Sequence, residues 1–297
     1  MRGKVVKIIS NFFYVSFLFS KNSLHDKEIA CQVKGTLIKD HHIPRVGDEV
    51  EVELISEKDN QGLIVQLYPR KNRLIKPAVA NVDQVVIVTS AKNPKPNLQL
   101  IDRLLVWAYF ENLSGTVCIN KKELNYDRAR EIKDIYRTVG FQSVMTSVRD
   151  EDIDELPKLL AHKVSVLAGQ SGAGKSSLIN HLKPELNLAT SPVSRKSGKG
   201  RQTTRHSQLF EIGEGYLVDT PGFNRKKLPA IFPEQLGKSF PEIRKLVHKC
   251  KFNDCSHREE PGCAVRLEIG STIPETRYQH YVDFYNELVE FERSFYK

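Results

Sequence analysis

The sequence predicts an α/β protein in three parts: a small N-terminal β-barrel, a central parallel sheet covered by helices, and a C-terminal helical segment. Short strand-like runs fill residues 1–75, apolar strands alternate with helical periodicity over residues 82–168, and aromatics recur at helical spacing in residues 278–296. The chain has 297 residues, 40% of them hydrophobic and 27% charged. These values exclude a disordered chain and a disulfide-stapled miniprotein.

The N-terminal part is predicted to be a barrel of five short strands. The strands are expected at residues 4–9, 12–19, 28–33, 49–55 and 62–67, with turns at 46–48 and 60–62. This pattern suits an OB-fold, and a generic barrel without a ligand fits it equally well. The apolar run 12–19 follows basic residues, as in a signal peptide. Polar residues interrupt the run and no small-residue cleavage site follows, so we expect two strands there.

The central part is predicted to hold a parallel sheet. Strands are expected at residues 82–90, 115–120, 142–146 and 163–168, and helices at 98–112, 128–139 and 152–161. Apolar strands that alternate with helices are typical of a sheet covered on both faces. We therefore expect domains at residues 1–75, 76–228 and 229–297.

One motif predicts a phosphate site. The pattern G-x-x-x-x-G-K-[ST] is matched by Gly169, Gln170, Ser171, Gly172, Ala173, Gly174, Lys175 and Ser176. A predicted strand precedes this loop and a helix at residues 176–182 follows it, which argues against a simple glycine-rich turn. Glycines let backbone N–H groups surround phosphate oxygens. Lys175 is expected to bridge the outer phosphates and Ser176 to bind Mg²⁺, and Ser177 is counted with the nucleotide-binding residues.

A second motif, Asp219-Thr220-Pro221-Gly222, ends a strand 50 residues after Gly169. We expect Asp219 to hold Mg²⁺ through water and the Gly222 N–H to sense a γ-phosphate. Between the motifs, residues 190–205 carry five cations and no acid, and a solvated loop is the alternative interpretation. The candidate switch residues are Thr203 and Thr204, and one of them is expected to complete the Mg²⁺ shell.

The catalytic residues expected from these motifs are Lys175, Ser176, Thr204 and Gln202. Many GTPases orient the attacking water with a Gln just after D-x-x-G, where this chain has Phe223. Slow turnover is therefore expected until another group supplies that function, and Gln202 is the candidate in this chain.

The base pocket is predicted from Asn120-Lys121-Lys122-Glu123, which follows the predicted strand 115–120. Asn120, Lys121 and Glu123 occupy the places of the guanine-selecting N-K-x-D pattern, with Glu in place of Asp. Ser147 follows the next strand, where a backbone N–H can reach the guanine O6. The base motif precedes the phosphate loop in the chain, which is a permuted order.

A compact metal cluster is predicted near the C-terminus. Its ligands are Cys250, Cys255, His257 and Cys263. Three thiols and one imidazole form a closed tetrahedral zinc set with no open position, so a structural Zn²⁺ is expected. Reduced, buried cysteines are the alternative. Cys31 and Cys118 are expected in the cores, and His248 on the surface.

Together these motifs resemble the circularly permuted GTPases of the ribosome small-subunit-dependent GTPase A family (RsgA, also called YjeQ). The resemblance covers nearly the whole chain. It implies an N-terminal OB-fold, a circularly permuted P-loop GTPase domain and a C-terminal helical zinc-binding domain with zinc at the four positions above. It also implies late maturation of the small ribosomal subunit and GTP hydrolysis that the subunit stimulates. Glu123 and Gln202 depart from the Asp and His that many members carry.

The charge balance points to an anionic partner. The net charge is +9, and residues 190–205 supply five of these positive charges. The expected partners are GTP or GDP and the small ribosomal subunit with its rRNA, bound through the barrel, the 190–205 loop and the zinc segment. We expect a cytoplasmic monomer with no membrane partner. A nucleotide-gated RNA-binding module with incidental turnover is the alternative, and Glu123 also leaves an ATPase open.

Overall fold

The computed structural model describes residues 1–17, 28–39, 43–56, 60–75, 77–188, 208–218 and 227–295. The chain divides into two compact units. The first contains Met1–Val85, Asp154–Leu167 and Ile179–Phe223, and the second contains Val86–Ile153, Ala168–Leu178 and Asn224–Lys297. The predicted boundaries at residues 75 and 228 remain predictions.

The N-terminal strands close into a barrel. They are β1 (Arg2–Ile9), β2 (Phe12–Ser16), β3 (Glu28–Val33), β4 (Glu49–Ser56) and β5 (Gln61–Leu67). The strand order around the barrel is β1-β2-β3-β5-β4, in which β3 and β5 run parallel. A short helix that the pattern did not predict, α1 (Gly35–Lys39), lies between β3 and β4. The structure thus confirms the five-stranded barrel, with strand ends that differ by one or two residues among those described.

The barrel interior explains the hydrophobic pattern of the strands. Its core includes Val5, Val15, Ile29, Cys31 and Val52, which confirms Cys31 as a core residue. A Cβ at Gly62 would lie 2.7 Å from the Val52 Cγ1 atom, so this strand position has no room for a side chain.

The predicted turn at residues 46–48 is present, and its conformation requires glycine at position 47. Gly47 has φ +91°, and a Cβ there would lie 2.0 Å from the Ala80 carbonyl oxygen. Asp48 is buried and accepts two 2.7 Å hydrogen bonds from the Arg70 guanidinium. Since a buried carboxylate is costly unless paired, this ion pair secures the turn.

A six-stranded sheet follows, in the order β10-β11-β9-β6-β7-β8. Its strands are β6 (Gln84–Ser90), β7 (Ser114–Asn120), β8 (Gln142–Met145), β9 (Val164–Gly169), β10 (Leu209–Ile212) and β11 (Gly215–Val218). The registered pairs β7–β8 and β9–β11 are parallel, and β10 pairs antiparallel with β11. All residues of β6 and β9 are buried, as expected of a covered parallel sheet. Strand β10 was not predicted.

The longer helices are amphipathic and close to the predicted ranges. The helices after the barrel are α2 (Leu98–Phe110), α3 (Tyr126–Thr138), α4 (Glu155–Leu160), α5 (Lys175–Leu182), α6 (Pro241–Arg244), α7 (Ala264–Leu267) and α8 (Glu275–Phe295). Asn97 and Asn125 cap α2 and α3 through side-chain oxygens. Helix α4 begins later than predicted, because Asp152 instead forms a β-bridge with Ser147. Among the described residues, no helix has the length and hydropathy needed to cross a bilayer.

The C-terminal helical segment packs around a core to which α2 also contributes. Phe240, Ile243, Val265, Tyr281 and Phe284 are buried there together, and Val106 of α2 joins them. Residues 277, 281, 284, 285 and 288 recur at helical spacing along α8 and are all buried. This one-sided burial confirms the helical periodicity predicted for the segment.

Candidate functional site

The phosphate loop leaves the carboxyl end of β9 and leads into α5, as the motif predicts. Gly169 has φ +119°, and a Cβ there would lie 2.1 Å from the Val88 carbonyl oxygen. Gly174 has φ +99°, and a Cβ there would lie 2.2 Å from the Asn120 amide nitrogen. Glycine is therefore required at both positions for conformational and steric reasons. The open concave backbone between them is the form that accepts a phosphate group.

Lys175 begins α5 and its ammonium group lies over the loop. Its Nζ donates to the carbonyl oxygens of Gly169 at 2.8 Å and Gln170 at 2.9 Å. Partial burial lowers the pKa of Lys175, because desolvation disfavours the charged ammonium. A polyphosphate would provide the counter-charge that the two carbonyls only partly replace.

The predicted base motif lies against the phosphate loop. Asn120 Nδ2 donates to the Ala173 carbonyl oxygen at 3.0 Å, and Thr146 Oγ1 donates to Asn120 Oδ1 at 3.1 Å. Lys121 has φ +60°, and its Nζ donates to the carbonyls of Gly172 and Asn93, both at 2.8 Å. The structure thus brings together residues about fifty positions apart in the chain.

Glu123 lies in a 3-10 turn over Lys122–Leu124, directly after the base motif. Its Oε2 atom is buried and accepts no hydrogen bond from a described residue, and the same holds for Gln170 Oε1 in the phosphate loop. Buried polar atoms without partners are rare and costly. Two such atoms at the predicted nucleotide site fit a ligand that donates hydrogen bonds.

Ser147 lies where the sequence predicted it, immediately beyond β8, and is fully buried. Its N–H donates to the Asp152 carbonyl oxygen at 2.8 Å, and its hydroxyl accepts from the Asp150 N–H at 3.1 Å. Its own amide is therefore engaged within the loop, and the contact with guanine stays a prediction.

Several predicted residues lie outside the described residues. They are Gln202, Thr203, Thr204, Asp219 and Gly222. The cationic loop 190–205 and Phe223 lie outside them as well. Strand β11 ends at Val218, as predicted, so the described chain leads directly to Asp219.

The four predicted metal ligands converge. One ligand atom from each of Cys250, Cys255, His257 and Cys263 lies within 4.8 Å of all the others. The Nδ1 atom of His257 is 3.5 Å from the Cys250 sulfur and 3.6 Å from the Cys263 sulfur. Tetrahedral zinc with its usual bond lengths separates such ligand atoms by about 3.4–3.8 Å. The cluster therefore has the composition and spacing to hold one metal ion.

The main chain around the cluster supports this geometry. His257 has φ +62°, a left-handed conformation that a non-glycine residue adopts at some cost. The Tyr278 hydroxyl donates to the His257 carbonyl oxygen and the Tyr281 hydroxyl to that of Ser256, both at 2.9 Å. Helix α8 thus holds the metal loop through two buried or half-buried tyrosines. His248 is exposed and outside the cluster, as predicted.

A buried charge network joins three helices and was not predicted. The Arg277 guanidinium on α8 donates to Asp102 on α2 and, at 2.5 Å, to Glu242 on α6. His280 Nδ1 lies 2.6 Å from the second Asp102 oxygen. Despite complete burial, the two carboxylates keep the pKa of Arg277 raised, so the group stays charged. The sequence offers one indication of this network: Arg277 is a charged residue at a helical position that faces the core.

A mixed sheet with a glycine-rich phosphate loop, a base motif before that loop in the chain, and an N-terminal barrel define a circularly permuted P-loop GTPase. Family models agree: residues 67–229 match the RsgA GTPase and residues 2–64 the RsgA N-terminal domain. The chain belongs to the RsgA GTPase family.

Relatives and solved structures agree over nearly the whole chain. "Small ribosomal subunit biogenesis GTPase RsgA" of Moorella thermoacetica is 38% identical over 99% of this chain and 100% of its own. The protein of the same name from Bacillus subtilis is 38% identical over 96% of this chain and 97% of its own. The circularly permuted GTPase YloQ superposes with a TM-score of 0.81 at 34% identity, covering 97% of this chain and 95% of its own. YjeQ from Thermotoga maritima superposes with a TM-score of 0.80 at 35% identity, covering 97% of this chain and 98% of its own.

Proposed function

We propose that this protein hydrolyses GTP and acts in the biogenesis of the small ribosomal subunit, where the subunit stimulates its turnover. The observation that carries the proposal is the contact of Asn120 and Lys121 with the phosphate loop. It supports one site for base recognition and phosphate binding, as a GTPase requires. The relatives named above are called small ribosomal subunit biogenesis GTPases.

The described residues of the site fit GTP. The unpaired Glu123 carboxylate oxygen suits the two N–H donors of guanine, which adenine lacks. The positive φ angles at Gly169, Gly172 and Gly174 leave a loop that backbone N–H groups can line. On binding, Lys175 would exchange the carbonyls of its own loop for phosphate oxygens, which carry a full negative charge.

Ser176, Thr204 and Asp219 are the proposed Mg²⁺ ligands. The ion would neutralise charge on the β- and γ-phosphates. Phosphoryl transfer depends on positioning and charge stabilisation more than on covalent chemistry, so Lys175 and the loop amides carry much of the protein's contribution. Gln202 is proposed to orient the attacking water, because Phe223 has no group that could do so. This division of roles explains why intrinsic turnover should be slow.

The metal cluster is proposed to hold one structural Zn²⁺ through Cys250, Cys255, His257 and Cys263. All four positions are filled by side chains, so no site remains for an activated water. The ion would stabilise a loop that contacts α8, and through it the C-terminal core. We propose that this segment, the barrel and the 190–205 loop bind rRNA, and that the protein acts as a cytoplasmic monomer.

Adding purified ribosomal subunits tests the proposal. The GTPase rate should rise severalfold or more with small subunits and stay at its basal value with large subunits. Lys175→Ala should abolish both the basal and the stimulated rates, which controls for contaminating hydrolases. An unchanged rate with small subunits would favour a nucleotide-gated RNA-binding module with incidental turnover. Competition of labelled GTP by ATP tests base selectivity in the same assay.

A further inference from the structure

A cavity of about 200 Å³ opens beside the metal cluster, within the C-terminal segment. Pockets for drug-sized ligands enclose roughly 300–1,000 Å³, so this cavity suits a single planar ring better than a whole nucleotide. Its wall includes Phe252, Asp254 and Ser256 of the metal loop, Tyr285 of α8, and Glu234 and Lys238 from the 3-10 helix Pro233–Ser239.

Three charged groups of the wall are available to a ligand. The side chains of Glu234, Lys238 and Asp254 line the cavity but form no hydrogen bond or ion pair with any residue that the structure describes. Carboxylates at a binding site accept hydrogen bonds from exocyclic amines of nucleobases, as Asp and Glu do with cytosine N4. An ammonium group beside them suits the phosphate of the same nucleotide.

The wall also offers aromatic surface. The Phe252 side chain is 39% exposed at the cavity, and the Lys251 ammonium lies 5.5 Å from its ring centroid. Tyr285 is buried in the wall, with the Arg258 guanidinium 4.2 Å from its ring centroid. Proteins that bind single-stranded nucleic acid use exposed aromatic rings as stacking platforms, because every base has a π-face.

Exposed cations are frequent in the stretch of chain over residues 238–251, of which Lys238 lines the cavity itself. The exposed cations of residues 238–251 are Lys238, Arg244, Lys245, Lys249 and Lys251. The single carboxylate of this stretch, Glu242, is buried against Arg277. None of the five cations forms an ion pair with another residue in the described part of the chain. This surface is therefore complementary to a polyanion.

We propose that this cavity binds one unpaired base of RNA that carries an exocyclic amine, while the backbone phosphates of the strand lie on the cations of residues 238–251. This proposal rests on the proposed function. It adds that the C-terminal segment recognises RNA as a single strand, through one unpaired base. A duplex does not meet this description, because its bases are stacked and its major groove is too narrow for side chains. A peptide without acidic side chains would leave the five cations without counter-charges.

Anisotropy of labelled ten-nucleotide RNAs bound to the full, zinc-loaded chain tests the proposal. Oligo-C carries the amine that oligo-U lacks, so oligo-C should bind about fivefold more tightly, and a ten-base-pair duplex should not compete for this site. Glu234→Gln and Asp254→Asn should bring oligo-C close to oligo-U. Phe252→Leu should weaken both single strands about tenfold. Glu259→Gln, an exposed carboxylate of the same loop outside the cavity, is the matched control and should change nothing.

Zinc content is measured for every variant, so that a collapsed metal loop is not mistaken for a lost contact. Other parts of the chain can bind RNA, and the readout is therefore the difference between parent and variant. Equal binding of oligo-C and oligo-U by the parent overturns the proposal. So do zinc-replete variants that bind RNA normally but lose the small subunit, since the cavity would then bind a protein. Stimulated GTP hydrolysis alongside either result leaves the proposed function standing.

Discussion

Asn120 Nδ2 donates a 3.0 Å hydrogen bond to the carbonyl oxygen of Ala173, and the side chain of Asn120 thereby fixes the phosphate loop from the base side. Gly174 lies against the same amide and could not carry a Cβ. The two motifs are about fifty residues apart in the chain, and this contact joins them together with that of Lys121 with Gly172. The arrangement couples the shape of the base pocket to that of the phosphate cradle.

Asn120→Ala should therefore weaken GTP binding more than loss of a surface amide would. The Ala173 carbonyl loses its donor and Thr146 its acceptor, at a cost of about 1–3 kcal/mol, or roughly 5–150-fold in affinity. Titration calorimetry with a non-hydrolysable GTP analogue measures this. Asn286→Ala, an exposed site on α8, is the control, and equal affinities for the two variants would show that the contact has no role in binding.

Glu123 should determine base selectivity. Replacing it with Gln removes the carboxylate but keeps its length, so the preference for GTP over ATP should fall by at least tenfold. Glu123→Asp should retain that preference, since it restores the usual family residue. Competition of each nucleotide against labelled GDP measures the ratio. A Gln variant as selective as the parent would assign the discrimination to other groups.

The buried charge network should dominate the stability of the C-terminal segment. Arg277→Met leaves Asp102 and Glu242 buried without their counter-charge, which costs about 3–5 kcal/mol of the free energy of unfolding. Glu287→Gln breaks the half-exposed pair with Arg103 and should cost about 1 kcal/mol or less. Urea denaturation followed by the emission of Trp107, the single tryptophan, measures both. Similar midpoints for the two variants would contradict the assigned importance of Arg277.

Removal of the metal should separate two activities. A strong chelator, or Cys263→Ser, should release about one equivalent of zinc and weaken binding to the small subunit. GTP affinity should change little, because none of the four ligands is in the nucleotide site. Metal analysis and pelleting with subunits measure the first two quantities, with Glu259→Gln, an exposed site of the same loop, as the control. A parallel loss of GTP affinity would mean that the metal loop supports the nucleotide site itself.

The cationic loop should account for much of the salt dependence of subunit binding. Neutralising Arg195, Lys196 and Lys199 with Gln should reduce the slope of log affinity against log salt by about two to three. Sedimentation with small subunits at several salt concentrations gives the slope. The matched variant neutralises three cations on α3, namely Arg128, Arg130 and Arg137. An unchanged slope in the loop variant would place the phosphate contacts elsewhere.

Local patterns predicted most elements of the fold, because strands and amphipathic helices leave regular apolar spacing in a sequence. α1 was missed because five residues are too few to establish a helical period, and β10 was missed although β8 and β11 are equally short in the structure. The start of α4 was set too early because Asp152 pairs with Ser147, five residues earlier, in a local bridge that the helical periodicity does not reveal.

The sequence by itself determined the chemistry of the two sites: the phosphate loop requires glycines at set positions, and a zinc set requires four ligands at close spacing. Both motifs lie within short stretches of the chain, so they can be recognised without a structure. Only the tertiary structure decided which residues contact each motif. The contact of Asn120 with Ala173, the enclosure of Arg277 by Asp102 and Glu242, and the cavity beside the metal loop all join residues distant in the chain. Periodicity shows that one face of a helix is buried. It does not show which element packs against that face, because many faces in the protein are equally apolar.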